Sequence, residues 1–342
     1  MTSGRVRQRD VAERAGVSVR TVSNVVNDFV HVSQDTRERV LAAVAELGYR
    51  PNLAARELRT GRSGTVSLVV PEIDSPYFSD LASRMVRAGE AIGLTVHIAQ
   101  SDGDPDRERA LLAGPPGREV DGVVISPWAL AADDVRPRGD GPPVVMLGER
   151  PGQGSVDRVA IDNVAAARDA VAHLLSRGRR RIAAVGLQPH RANETSALRR
   201  EGYRQAVAAA GGTHQLGLEV VTQTLHRSDG AAAVRRLLEE GSDFDALFCF
   251  TDELALGAMR ALHDAGLRVP DDVAVVGFDG IQDGAFSVPS LTTVRPDVTR
   301  IAELALAALG RHQAGEESTP TEYVAPHRLV VRESSCACLQ QK

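Results

Sequence analysis

Cysteine is scarce in this chain, with three residues among 342: Cys249, Cys336 and Cys338. That excludes a disulfide-stapled framework, and Cys336-x-Cys338 has no cluster of further ligands nearby to make a metal site. Long apolar runs are also missing, and none approaches the roughly 18–20 residues of a membrane-spanning helix. Met1-Thr2-Ser3-Gly4-Arg5 leads into a polar helix rather than a signal sequence. The expectation is therefore a soluble, cytoplasmic protein with no membrane partner. Lysine is nearly absent: every basic residue except Lys342 is arginine, even at plainly solvated positions, which reflects a codon or genome bias. Sequence signatures of catalysis are lacking too. There is no GxSxG elbow, no GxxxxGK[ST], no HExxH and no complete GxGxxG, since Gly152-x-Gly154 lacks the third glycine. Asp102, Asp104 and Asp106 imitate the start of a calcium loop, but Arg107 stands in place of its glycine and Ala113 in place of its final glutamate. The nine histidines are scattered without ligand spacing. No enzyme, cofactor or metal site is expected.

What is present is a chain long enough for two or three domains. Its 43% hydrophobic and 25% charged content is ordinary for a globular protein. The net charge of −5 is unevenly spread. Residues 1–62 hold 11 Arg against 7 acids, giving +4, while the remainder carries −9. A basic head on an acidic body suits a protein that presents one end to a polyanion.

The head has the pattern of a helix-turn-helix. Val11, Ala12 and Ala15 share one helical face, Gly16 permits the turn, and Ser18 is placed to cap a second helix whose inward face is Val22, Val25 and Val26. Ser18, Val19, Arg20, Thr21, Ser23, Asn24 and Asn27 then form the set able to reach base edges and phosphates in a major groove. The competing reading of the spacing alone is an ordinary helical hairpin. A third helix is expected over 34–47, capped by Ser33, with Val40, Leu41, Val44 and Leu47 as its apolar stripe and Gly48 as its stop.

Asp10-Val11-Ala12, Ala15-Gly16-Val17-Ser18, Thr21-Val22-Ser23 and Val25-Val26-Asn27 closely resemble the DNA-binding headpiece of the LacI/GalR family of bacterial transcription regulators. The resemblance continues through Val32-Ser33, Thr36-Arg37, Leu47-Gly48-Tyr49 and Pro51-Asn52, and covers nearly the whole chain. It makes Val19 and Arg20 the specificity pair, with Arg20 suited to guanine and Val19 to a thymine methyl. Asn24 departs from the arginine usual there, and its amide suits adenine. Residues 51–61 match the family's hinge helix, which is too short to persist alone in water. Asn52 would cap it, Ala55 would allow close approach to the dimer mate, and Leu58 would wedge into the minor groove and kink the duplex.

From Thr65 onward, β-branched runs at 66–70, 95–99, 122–126, 144–147, 181–185, 246–250 and 273–277 read as buried strands. They alternate with helices expected over 78–92, 165–176, 198–210, 230–239, 252–264 and 300–313. That alternation implies parallel sheets covered on both faces, enough for two. Ser75-Pro76-Tyr77-Phe78, Asp162-Asn163, Arg199-x-x-Gly202-Tyr203, Asp252-x-x-Ala255-x-Gly257, Val276-Gly277-Phe278-Asp279 and Arg332-x-Ser334 resemble the family's regulatory core. The resemblance implies an all-α head on an α/β core of two doubly wound lobes, similar to periplasmic sugar-binding proteins. Expected boundaries are a head over 1–50, a hinge over 51–63, a first lobe over 64–161 and 293–321, and a second over 162–290 and 322–342.

By the same resemblance the ligand cleft is lined by Tyr77, Phe78, Asn163, Arg199, Asp252 and Asp279, with Arg199 gripping hydroxyls or a carbonyl and Asp279 accepting hydroxyl or N–H protons. Asp252 has the alternative of capping its helix, and Asn163 that of lining the crossover. Gly148 stands where many relatives carry an acid, and Leu225 where an aromatic often stacks. Trp128 would supply the stacking face instead, with a core or interface tryptophan as the alternative. The function implied is a transcriptional regulator, a repressor, that binds a near-palindromic operator in double-stranded DNA as a homodimer and responds to a small polar effector such as a mono- or oligosaccharide. Induction and corepression use the same parts. The rival readings are a sugar-binding sensor without DNA function and an enzyme on an α/β scaffold.

Overall fold

The computed structural model describes residues 6–26, 31–49, 62–117, 119–130, 132–135, 141–148, 156–189, 194–211, 218–313 and 319–336. The chain divides into two units, Met1–Ser63 and Gly64–Lys342. In the first, α1 (Gln8–Ala15), α2 (Val19–Val26) and α3 (Gln34–Leu47) enclose a small core of Val11, Ala12, Ala15, Val22, Val25, Val40, Ala43 and Tyr49. Gly16 (φ 65°) and Gly48 (φ 62°) end α1 and α3 in the left-handed conformation that glycine adopts without steric cost. The expected stripe on α3 needs one correction: Leu41 is 49% exposed and Ala43 takes its place. Residues 40, 43, 44 and 47 follow the helical period, whereas Leu41 lies about 100° around the helix from Val40. Asn27 and the expected hinge with Asn52, Ala55 and Leu58 lie outside the described residues.

The second unit contains two six-stranded sheets. The first lobe runs β1 (Thr65–Val70), α4 (Pro76–Ala91), β2 (Thr95–Gln100), α5 (Pro105–Leu111), β3 (Gly122–Ile125), β4 (Val144–Leu147) and β5 (Asp157–Ile161). The second runs α6 (Asn163–Ser176), β6 (Ile182–Leu187), α7 (Thr195–Ala209), β7 (Glu219–Val221), α8 (Arg227–Glu239), β8 (Ala246–Cys249), α9 (Asp252–Asp264), β9 (Ala274–Phe278), α10 (Asp283–Phe286) and β10 (Thr292–Pro296). The chain then returns through α11 (Val298–Gln313) and β11 (Glu322–Ala325) to the first lobe and finishes with β12 (His327–Val330) in the second. Strand order is β11-β5-β4-β3-β1-β2 in one sheet and β12-β10-β9-β8-β6-β7 in the other. All pairs are parallel except β10 with β12. Strands β3, β6, β8 and β9 are buried along their whole length, as helices on both faces of a parallel sheet require.

The lobe boundaries expected from sequence shift at the second and third crossovers. Strand β10 pairs in the second sheet and β11 in the first, so the chain crosses after Ile161, after Pro296 and after Ala325. Pro326, which has no N–H to offer a ladder, separates β11 from β12, and its carbonyl accepts from Asp297 N at 2.9 Å. Two of the motif glycines serve packing. A Cβ on Gly202 would lie 2.2 Å from the Val164 carbonyl oxygen, and one on Gly257 1.8 Å from that of Arg227. Helices α6 and α7, and likewise α8 and α9, approach backbone to backbone there. No helix among the described residues is long and apolar enough to cross a membrane.

Candidate nucleic-acid interface and ligand cleft

The head builds its exposed face from a short polar turn. Ser18 Oγ accepts the Thr21 N–H at 3.0 Å and lies 2.8 Å from Thr21 Oγ1, satisfying one of the orphan donors at the start of α2. Val22 and Val25 point inward, which leaves Val19 and Arg20 exposed and Thr21, Ser23 and Asn24 half-buried. Among the described residues Arg20 has no acidic partner, so its planar fork of donors is available to a base edge or a phosphate. An exposed valine beside an unengaged arginine makes no sense as packing. As a groove-reading surface the pair is complementary to a methyl group and a guanine edge.

In the core, the carboxyl ends of both sheets face one cleft, the position at which open α/β sheets bind ligands. Tyr77, Phe78, Trp128, Asn163, Arg199 and Asp279 all line it, as do Gly148 and Leu225. From the first lobe comes an aromatic wall. Tyr77 and Phe78 meet edge to face at 5.2 Å, and Phe78 meets Trp128 likewise at 6.2 Å. The segment carrying Trp128 is held by Glu108, whose fully buried carboxylate accepts the N–H groups of Trp128 at 2.7 Å, Ala129 at 2.9 Å and Leu130 at 2.9 Å. The sequence offered a signal for Glu108 only in hindsight: it is a lone acid on the inward face of α5.

The second lobe supplies a polar floor. Arg199, 7% exposed, donates from Nε to Asn163 Oδ1 at 2.8 Å and from Nη1 to the Phe250 carbonyl, and stacks 3.5 Å over the Phe278 ring. Its Nη2 lies 3.8 Å from Asp279 Oδ1. Asn163 Nδ2 is buried without a partner among the described residues, a donor left over in the cleft lining. Asp279 has φ 107°, a strained conformation for a residue with a side chain, and its N–H bonds to the Val294 carbonyl at 2.9 Å. Burial pushes its carboxyl up to about 7, with Arg199 opposing and Glu253 adding to the shift. A group poised between acid and carboxylate can accept a proton from a ligand hydroxyl or donate one to a ligand oxygen.

Asp252 is not a cleft residue, which corrects the sequence expectation. It is fully buried; its Oδ2 accepts the Ile281 N–H at 2.8 Å, and burial holds the carboxyl well above its ordinary range. Nor does it cap α9, because Thr251 Oγ1 accepts the Leu254 N–H at 3.1 Å. Asp252 instead fastens the turn that carries Asp279. A Cβ at Gly277 would lie 2.2 Å from Asp252 Oδ1, which explains the glycine in that motif. Among the polar lining residues that sequence reasoning missed are Glu72, Gln188, Ser196, His226 and Glu253.

Residues 9–52 match the family of bacterial regulatory proteins, lacI family, and residues 171–335 match the periplasmic binding protein-like domain. The ribose operon repressor of Halalkalibacterium halodurans is 34% identical over 331 residues, covering 96% of each chain. The solved complex of the transcriptional regulator CelR with cellobiose is 32% identical, with a TM-score of 0.69 over 96% of this chain and 100% of that one. The lac repressor dimer bound to operator and the anti-inducer ONPF is 26% identical, with a TM-score of 0.83 over 97% of this chain and 99% of that one. Helix-turn-helix head, two-lobed core and similarity along nearly the whole chain agree: this chain belongs to the LacI family of bacterial transcription regulators.

Proposed function

We propose that the protein is a transcriptional repressor that binds a near-palindromic operator as a homodimer and is controlled by a sugar held between its two lobes. The observation that carries this reading is the pairing, in one chain, of an exposed Val19–Arg20 face on α2 with a cleft that sets the Tyr77–Phe78–Trp128 wall against Arg199, Asn163 and Asp279. The cellobiose held by CelR and the operator held by the lac repressor support it. Sugar rings offer an apolar face to aromatic side chains and hydroxyls to forked donors and carboxyls, which is how the two sides of this cleft differ.

Val19, Arg20, Thr21, Ser23, Asn24 and Asn27 read one half-site, Ser18 sets the helix that carries the first five, and Asn52, Ala55 and Leu58 serve as the hinge that opens the central base step. Phe286 and Val288, 77% and 95% exposed, are apolar surface that a second protomer would cover. A ligand bridging the lobes favours the closed core over the open one, and the resulting shift biases hinge pairing. Footprinting on DNA upstream of the protein's own gene, with and without a panel of sugars, tests the whole reading. A protected palindrome with a hypersensitive centre, altered by one sugar, is the expected result. Absence of any sequence-specific protection at moderate salt would leave a sugar sensor without DNA function as the better description.

A further inference from the structure

Towards the rim of the cleft, two carboxylates from different lobes face each other through one imidazole. Glu72 follows β1 in the first lobe, while His226 precedes α8 and Glu253 lies in the first turn of α9, both in the second. His226 Nε2 is 3.3 Å from Glu72 Oε2, and its Nδ1 is 3.6 Å from Glu253 Oε2. All three side chains line the cleft, and those of Glu72 and His226 are more exposed than those of Arg199 and Asp279. Glu253 Oε1 takes a further bond from Arg227 Nη1 at 2.8 Å. Arg227 is not part of the lining, and its Nη2 lies 3.6 Å from Asp283.

The other charged residues of the lining sharpen the picture. Among the described residues, Arg199 is the only arginine or lysine there; its Nε and Nη1 donate to Asn163 and the Phe250 carbonyl, and its Nη2 faces Asp279 at 3.8 Å. A phosphate or carboxylate on a ligand would share Arg199 Nη2 with the Asp279 carboxyl while facing Glu72 and Glu253. Carboxylates only accept hydrogen bonds, so the groups that satisfy them are donors: a hydroxyl or an ammonium, not a second anion.

We propose that the Glu72–His226–Glu253 clasp selects effectors by charge, admitting uncharged polyhydroxyl and amine-bearing ligands and rejecting phosphorylated or acidic ones. This rests on the reading of the cleft as the effector site. Trp128 is the only tryptophan in the chain and lines the same cleft, so its intrinsic fluorescence reports occupancy in the intact protein.

The experiment titrates full-length protein with ribose, glucose, cellobiose, glucosamine, glucose 6-phosphate, glucuronate and inorganic phosphate. Responses are expected from uncharged or amino sugars only, with the anionic counterpart of any responding sugar weaker by at least about tenfold, or 1.4 kcal/mol. Glu72→Gln with Glu253→Gln narrows that gap, and Glu72→Gln alone narrows it in part; melting curves check that each variant is folded. Tighter binding of glucose 6-phosphate, glucuronate or phosphate to the unaltered protein overturns charge selection, as does a gap that both variants leave unchanged. Silence towards every sugar defeats the sugar reading instead. In that case charge selection stands if the double variant gains a response to phosphate that the unaltered protein lacks, and falls if it does not.

Discussion

The head presents its recognition residues, whereas the core buries its own. On α2, Val19 and Arg20 are exposed and Arg20 has no acidic partner among the described residues, so its donors wait for a ligand of opposite charge. In the core, Arg199 is held by an amide, a carbonyl and an aromatic ring beside a carboxyl, all supplied by the protein itself. A DNA surface is large and anionic, so an exposed arginine gains most of its binding energy on contact. A small polar effector offers only a few groups, so the cleft must orient its own beforehand to lower the ordering cost of binding. The two sites of one chain therefore fail differently when mutated: one loses a partner outside the protein, the other loses internal support as well.

Removing Arg199 gives the largest expected effect. Arg199→Ala leaves Asn163 Oδ1, the Phe250 carbonyl and Asp279 without their cation, at a cost of about 3 kcal/mol in core stability together with loss of the sugar response. Urea unfolding and ligand titration measure both, and an unchanged midpoint would mean the floor is not self-supporting. The next effect is on pH. In the folded core the Asp279 carboxyl keeps a proton that the unfolded chain releases above its ordinary value of 3.8, since burial pushes it up to about 7. The folded state thus binds more protons than the unfolded one within that window, and stability falls as pH rises from about 4 to about 7. Asp252 acts with the same sign. Melting temperatures across that range should decline, and Asp279→Asn should flatten the decline.

The head behaves the opposite way. Arg20→Ala is expected to weaken specific operator binding by about 10- to 100-fold, the worth of a bidentate base contact, with the melting of the head unchanged. A fall in head stability of the same size would show that Arg20 supports the fold and would erase the contrast. Smallest is Ser18→Ala, which removes the acceptor for the Thr21 N–H and costs about 1 kcal/mol of head stability. Hydrogen exchange at the start of α2 would register it before any DNA measurement did.

Both sites were partly legible from sequence. The Ser18 cap, the inward Val22 and Val25 and the outward Val19 and Arg20 are spaced by helical geometry over fewer than three turns, so they could be read directly. Arg199, Asp279, Tyr77 and Phe78 stood out through their resemblance to a family, and they do share one cleft. Asp252 shows the weakness of that route, because a motif residue can be retained for the turn it fastens rather than for the ligand. Arg332 and Ser334 are similar: the first donates to the Leu291 carbonyl at 2.7 Å and the second to that of Val275 at 2.7 Å, pinning the tail to the second sheet. Strands β5, β7, β10, β11 and β12 went unread, because partners distant in the chain set their pairing.

By itself the sequence determined what neighbours a few residues apart can impose: the three helices of the head, the alternation of strand and helix in the core, the turn glycines and the caps. Those follow from backbone sterics and from the period of apolar side chains, which act within a turn or two. Tertiary structure alone decided which polar groups are buried and who satisfies them. Glu108 beneath Trp128, Asp252 behind Asp279, and His226 between Glu72 and Glu253 each join segments far apart in the chain. Burial raises the cost of an unpaired charge, and only the assembled fold determines where that cost falls.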